Sequence, residues 1–343
     1  MSEQLDWGKL PFDFNGIKGY VVSCYGGNML WTTLGTVEGT YISVHIAAGV
    51  LHYALEIFEG MRCFRTKDGR LLLFRPTENA KRFRQSAELM IMPVVPEELY
   101  LQAILRALEI SQPLQPPHGS GASMYIRPFE FGSGPQLGVR KSDEYTFAVY
   151  ATPVGPYFKT GFNQAISCFL TEFDRVPPNG MGNAKAGANY GATIVAIEQA
   201  KVMGCQAPLF TQPGGHKVIT ETHASNVAFV IDGNVVTLAQ NSYILESVTR
   251  RSLVELCHDM DIPVEERDVE VSELIHVTEA FGMGTGATLA PIGRFRNKDG
   301  WLRTAIKDPD KPGELTTQLY HHLTSIQQGD LEDIHDWNVE VTF

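Results

Sequence analysis

One lysine stands alone in the stretch Arg175-Val-Pro-Pro-Asn-Gly-Met-Gly-Asn-Ala-Lys185-Ala-Gly-Ala-Asn-Tyr190-Gly191, with no other charge between Arg175 and Glu198. Small residues around it let backbone and ligand approach closely. Past Tyr190, Ile194, Ile197, Ala200 and Met203 recur at helical spacing, so a helix is expected just beyond the lysine with these residues on one face. Apolar surroundings disfavour an ammonium and lower its pKa. A neutral amine can add to a carbonyl as a Schiff base, or carry a proton. A solvated lysine in a glycine-rich loop is the competing reading, and this stretch alone leaves both open.

Other residues have chemistry to offer. Glu221 ends an expected strand at the polar corner Thr222-His223-Ala224-Ser225-Asn226. A carboxylate there could hold the protonated pyridine nitrogen of a cofactor and keep the ring an electron sink; a solvated strand end is the alternative. Tyr125 and Arg127 fall on one face of a strand and suit a carboxylate substrate, or equally a cross-strand ion pair. Ser247 can cap a helix whose first amides, at Val248 and Thr249, would form an anion site. Gly284-Thr285-Gly286 offers amides and a hydroxyl for anions, or is simply a tight αβ connection.

The elements that must position these groups follow from pattern. Asp68-Gly69 closes a hairpin, and Thr77 is expected to cap a helix carrying Ala80, Phe83, Ala87 and Met90. A turn-rich connection over 112–121 leads to strands over 123–129 and 144–152, the second broken by Pro153-Val-Gly-Pro156. Strands over 207–211 and 218–221 flank Pro213-Gly214-Gly215; a strand over 226–231 turns at Asp232-Gly233. Leu253, Leu256, Cys257 and Met260 mark a helix, and a last one over 315–327 is read as packing. The 343 residues suggest two domains, divided here as 1–152, a connecting loop 153–160, and 161–343.

Composition excludes several classes. A net charge of −11 without a basic cluster argues against nucleic acid and anionic membrane partners. Five scattered cysteines without a CxxC pair suggest neither a disulfide framework nor a metal site, and fit a reducing compartment. Without a leader-like N-terminus or a run of about 20 apolar residues, a cytoplasmic protein is expected.

Taken in order, the blocks His52-Tyr53-Ala-Leu-Glu-Ile-Phe58-Glu59-Gly60-Met-Arg62, Arg82-Phe, Tyr125-Ile-Arg127-Pro, Lys185-x4-Tyr190, Glu221, Val248-Thr-Arg and Gly284-Thr-Gly resemble the fold-type IV pyridoxal-phosphate enzymes, most closely the branched-chain amino acid aminotransferases. The resemblance runs from about Tyr41 to the C-terminus. It implies a two-domain α/β fold like that of the D-amino-acid aminotransferases, with a small N-terminal domain, a larger C-terminal domain, the cofactor between them, and a homodimer. It implies that Lys185 carries pyridoxal 5′-phosphate as a Schiff base, that Glu221 protonates the ring and that Tyr190 orients its phenolic oxygen. Arg82, Val248, Thr249 and Thr285 would hold the phosphate. Tyr53, Phe58 and Tyr125 would wall the side-chain pocket, with Arg127 taking a second carboxylate and Thr285-Gly286 the substrate carboxylate. Branched-chain L-amino acids would then donate to 2-oxoglutarate in a ping-pong cycle. Related reactions on the same scaffold stay open: D-amino acid or (R)-amine transamination, or aminodeoxychorismate lysis. A cofactor binder without turnover is a further alternative. The chain departs from the family at Ala54, at Val154 where tryptophan is usual, at Glu246-Ser247 in place of Pro-Gly, and in its Thr-His-Ala-Ser corner.

Overall fold

The computed structural model describes residues 6–158 and 161–343. The first five residues, on which the expectation of no leader partly rests, and residues 159 and 160 of the expected loop lie outside the described residues. Contacts divide the chain into two compact units, 1–157 with 184–188 and 325–343, and 158–183 with 189–324. The lysine segment and the C-terminal stretch thus group with the first unit, whereas the sequence reading places them in the second. The reasons are local: Ala186 bridges to Ile57, and the strand Asn338–Glu340 pairs with Leu71–Phe74.

The first unit is built on a nine-stranded sheet whose centre is the long antiparallel pair Ser123–Gly132 and Tyr145–Val154. Helices Pro76–Leu89 and Glu97–Ser111 bury Phe83, Tyr100, Ile104 and Leu108 in one core with Ile126 and Phe147 from this pair. Strand alternation sends Tyr125, Arg127 and Phe129 to the opposite, partly open face. The Asp68-Gly69 hairpin forms, with Gly69 at φ 94°. Thr77 is not the cap: the helix starts at Pro76, whose ring presets the first turn, after Arg75 at φ 48°. Nor does Pro153 break its strand. It pairs with Met124, and the strand on the other side, Gly19–Gly26, pairs only as far as Val149, so no ladder bond is lost there.

In the second unit, pairing of Ile219–Thr222 with both Ala207–Thr211 and Asn226–Ile231 closes a ring that continues through Val277–Gly284, Thr288–Asn297 and Ile166–Leu170. Phe229 and Phe295 pack in its core. The Asp232-Gly233 turn forms as read, with both φ values positive, as a two-residue hairpin requires. The helix after the lysine spans Ile194–Val202, and the expected face is met in part: Ala200 is buried with Met203 packed beside it, but Ala196 is buried in addition and Ile194 is 60% exposed. The Gly284–Thr288 segment is a β-hairpin, not an αβ connection.

One core residue is out of character. Glu130 is fully buried, pairs across the sheet with Ile57 and Phe147, and neither carboxylate oxygen has a hydrogen-bond partner among the described residues. Burial pushes its carboxyl well above the ordinary range, so it sits in the core as the neutral acid. A raised folded pKa stabilises fully only below the unfolded value, and that stability is lost as pH rises through the folded value. Glu130→Met is therefore expected to raise the melting temperature at neutral pH by about 2 °C or more and to flatten its decline between pH 5 and 9. Equal decline in both proteins, followed by differential scanning fluorimetry, would show that Glu130 is not held neutral.

Candidate active site

Lys185 reaches its position through its backbone. Its N–H donates to Ser86 Oγ at 2.9 Å, and its carbonyl accepts the Phe58 N–H at 3.0 Å, which pins it between the helix Pro76–Leu89 and the strand Glu56–Phe58. Its Nζ lies 4.8 Å from the centre of the Phe58 ring. Burial, then the nearby Arg82 guanidinium, push the amine pKa down to about 8, against the upward pull of Glu59. A substantial share of neutral amine is therefore present near physiological pH.

Arg82 is buried and forms a fork-to-fork pair with Glu59: Nε to Oε1 at 2.6 Å and Nη2 to Oε2 at 2.9 Å. Asn79 Nδ2 donates to the same Oε2 at 2.8 Å. Burial alone would raise the Glu59 carboxyl, but Arg82, then Lys185 and Asn79, more than offset it and hold it below the usual range. Arg82 is thus no member of a solvated basic face; Lys81, by contrast, pairs with Glu78 on the surface.

The open sheet face beside Lys185 is aromatic, with Arg127 set into it and Arg62 opposite Tyr125. Arg127 lies over the Phe58 ring at 4.9 Å and the Tyr125 ring at 5.3 Å, and its Nη2 donates to Tyr125 Oη at 3.1 Å. The residue opposite Arg127 across the sheet is Tyr150, not an acid. Tyr53 is not brought to this wall. It ends the short helix Gly49–Tyr53, its hydroxyl donates to the Leu137 carbonyl, and its ring is 37% exposed.

The second unit gathers its groups at one end of the strand ring. Glu221 is buried and paired with Arg175, Nη2 to Oε1 at 2.6 Å; Asn226 Nδ2 donates to Oε2 at 2.7 Å. Glu221 is therefore not a solvated strand end. Asn226 Nδ2 also donates to the Leu245 carbonyl at 3.1 Å, which ties the corner to the helix Val248–Asp259. Ser247 caps that helix by accepting the Arg250 N–H at 3.2 Å, and the helix start leaves the Val248 and Thr249 amides outside the intrahelical ladder. Asn226 pairs with Met283, so the hairpin loop with Thr285 and Gly286 emerges beside the same corner. A Cβ on Gly282 would stand 2.6 Å from Ser225 Oγ, which explains the glycine. Tyr190, partly buried in the short helix Gly187–Gly191, anchors the turn by accepting from Thr193 at its carbonyl. Arg250 points away, to Thr237 and Glu266. His223 is pushed down to about 4 by burial and then Lys201, so it is neutral.

Glu59, Asn79 and Arg175 escape a reading of the sequence as functional residues. Arg82 and Asn79 reach Glu59 across 23 and 20 positions, and Arg175 reaches Glu221 across more, so only tertiary structure pairs them. A hint is present in Arg175, the last charge before the neutral lysine run, and in Glu59, an acid among core aromatics.

The family model for amino-transferase class IV matches residues 56–295. A branched-chain-amino-acid aminotransferase of Helicobacter pylori is 37% identical over 99% of this chain and 98% of its own length. Among solved structures, the branched-chain amino acid aminotransferase of Escherichia coli superposes with a TM-score of 0.80 at 24% identity, covering 95% of this chain and 100% of its own. The branched-chain amino acid aminotransferase of Thermobaculum terrenum, solved in its PLP form, gives 0.77 at 24% identity, covering 95% of this chain and 99% of its own.

Gly60 follows Glu59 where Tyr125 passes over the backbone: a Cβ there would stand 1.9 Å from Tyr125 Oη. Gly60→Ala should displace the Tyr125 ring and destabilise the fold by about 1–3 kcal/mol, seen as a lower urea midpoint. An unchanged midpoint would mean that the ring turns aside freely.

Proposed function

We infer the reaction from one premise: the chain belongs to the amino-transferase class IV family. It is a pyridoxal-phosphate-dependent transaminase acting on branched-chain amino acids. The observation that carries the chemistry is the Lys185 amine, fixed against Phe58 and brought to about 8 by burial beside Arg82. Each unit offers part of the donor set we assign to the cofactor: in the first, an amine for its aldehyde and a guanidinium for its phosphate; in the second, helix-start amides for the phosphate and a carboxylate for its ring nitrogen. Pyridoxal 5′-phosphate supplies, when bound, an aldehyde that takes up the amino group and a ring that withdraws electrons from Cα.

The residues divide the rest of the work. Lys185 Nζ would take the proton from substrate Cα and pass it to the former aldehyde carbon of the cofactor in the same half-reaction, a task for which a pKa near 8 suits a base at neutral pH. Glu221, kept in place by Arg175 and Asn226, presents an oxygen to the ring nitrogen, and Tyr190 orients the ring through its phenolic oxygen. Arg82, Val248, Thr249 and Thr285 hold the phosphate; Thr285 and Gly286 also offer amides to the substrate carboxylate. Phe58 and Tyr125 accept a branched aliphatic side chain; Tyr53, held at the Leu137 carbonyl, is left out of that pocket. Arg127 accepts the γ-carboxylate of glutamate, so that 2-oxoglutarate serves as acceptor.

The assembly we propose is a homodimer. Tyr41, Ile46, Leu137 and Val139 are more than 80% exposed, an apolar set on the first unit that a second copy would cover. Among the described residues no helix is long and apolar enough to cross a membrane.

Borohydride treatment should fix a pyridoxyl group on the Lys185 peptide, and Lys185→Ala should lose turnover. A label on another lysine would overturn the central assignment. Glu221→Gln is expected to lower kcat on the order of 10²-fold, about 3 kcal/mol of transition-state stabilisation; activity within twofold of wild type would remove Glu221 from the ring. Offered separately, L-leucine, L-isoleucine and L-valine should react within roughly a hundredfold of one another, because one methylene is worth only about 1–3 kcal/mol. Faster turnover of D-alanine or (R)-1-phenylethylamine would replace the branched-chain reading with a related transamination.

A further inference from the structure

The strand Tyr145–Val154 loses one neighbour halfway along, because Gly19–Gly26 pairs with it only from Tyr145 to Val149. Past that point the segment over 10–16 takes over, held mainly by side-chain bonds. Asn15 seats it. Its backbone N–H donates to Oγ1 of the buried Thr152 at 3.2 Å, and the same hydroxyl donates to the Gly16 carbonyl at 2.9 Å. Asn15 Nδ2 donates to the Pro153 carbonyl at 3.0 Å and, within the segment, to the carbonyls of Pro11 and Asp13 at 3.0 and 2.9 Å. The Gly155 N–H donates to the Pro11 carbonyl at 3.1 Å. The crossing is tight: a Cβ on Gly155 would stand 1.7 Å from the Leu10 carbonyl oxygen, so only glycine lets the segment pass at this distance.

This seat fixes two rings over the open sheet face. Phe12 meets Tyr125 edge-on at 5.2 Å and Tyr157 at 5.0 Å, and Phe14 meets Tyr150 at 6.2 Å. Tyr125 is already tied at its tip, where Oη accepts from Arg127 Nη2. A bond at the tip alone lets the ring swing about it. Edge-to-face contact has a preferred geometry, so a held Phe12 removes that freedom.

We propose that the segment over 10–16 is a strap, seated by Asn15 on Thr152 and Pro153, that holds the Tyr125 ring and so sets which side chains the pocket admits. The proposal rests on the branched-chain transaminase reading, which gives Tyr125 to the pocket wall, and adds Asn15 as a positioning residue that acts through Phe12. A wall locked by its own supporting contacts rejects a wider side chain; a wall that tilts aside admits it.

The test is calorimetric titration of the holoenzyme with 4-methylpentanoate, which carries the branched end of leucine, and with the wider 3-phenylpropanoate. The wild type should favour 4-methylpentanoate. In Asn15→Ala this preference should fall about tenfold, which is about 1.4 kcal/mol, through tighter binding of the wider ligand. Thr152→Val removes the hydroxyl at similar shape and should shift the preference the same way, whereas Thr152→Ser keeps the hydroxyl and should retain the wild-type value. Phe12→Leu breaks the link to Tyr125 without touching the strand, and stays readable if a Thr152 variant fails to fold. An unchanged preference in both Asn15→Ala and Phe12→Leu, even with a lower melting temperature, overturns the proposal, and so does a wild type without the preference. A wild type that binds neither ligand overturns the branched-chain reading and the proposal with it, a result distinct from the other two.

Discussion

The first unit is organised by a carboxylate that is not exposed at all. Glu59 takes two donors from Arg82, one from Asn79 and one from the Gly60 amide, all within 3.0 Å. A buried pair of this kind adds little net stability over an apolar replacement, but removing one partner costs about 3–5 kcal/mol. Its effect is positional. It locks the turn after Phe58 to the helix that also fixes Lys185 through Ser86, so the ring against the lysine and the cation near it cannot move independently. It also sets the electrostatics: without Glu59, the positive charge of Arg82 would press the lysine amine lower still.

The second unit uses the same device with different residues. Glu221 takes Arg175 on one oxygen and Asn226 on the other, as Glu59 takes Arg82 and Asn79. Arg175 Nη2 also donates to the carbonyls of Gly182 and Tyr243, each at 2.8 Å, which clamps the approach to the lysine segment. In both places an arginine and an asparagine hold a carboxylate immobile where water is scarce. Charged groups that must not reorganise during a reaction need such fixed partners.

Much of this is legible in the sequence because it depends on local rules. Two-residue Asp-Gly turns set φ, Ser247 caps by its own hydroxyl, and alternation puts Tyr125 and Arg127 on one face. The lysine stands out by the absence of other charges. What sequence does not supply is partnership over distance. Arg82 is one of three basic residues on a helix, and nothing within that helix identifies Glu59 as its mate. The helix over 194–202 is legible only in part: Ala200 and Met203 turn inward as the periodicity expects, whereas Ile194 stays exposed and Ala196 is buried instead. Pro153 misleads because a proline is barred only where its missing donor has a waiting acceptor.

The departure at Glu246 has a physical resolution of the same kind. A carboxylate one residue before the capping serine would repel an anion held by the Val248 and Thr249 amides. The structure pairs it with Arg251, Nη1 to Oε1 at 3.4 Å, on the first turn of the same helix. Both side chains are about one-third exposed, so the pair is weak as a source of stability, in the range of about 0–1 kcal/mol. Its consequence is orientation: the negative charge is drawn to a cation on its own segment instead of to the helix start. Arg250, next in line, is turned the other way by Thr237 and Glu266 and cannot do this. The helix start thus keeps its amides and its dipole for an anion even though proline and glycine have been replaced. What the site requires there is backbone geometry with local charge balance, and more than one residue pair can supply it.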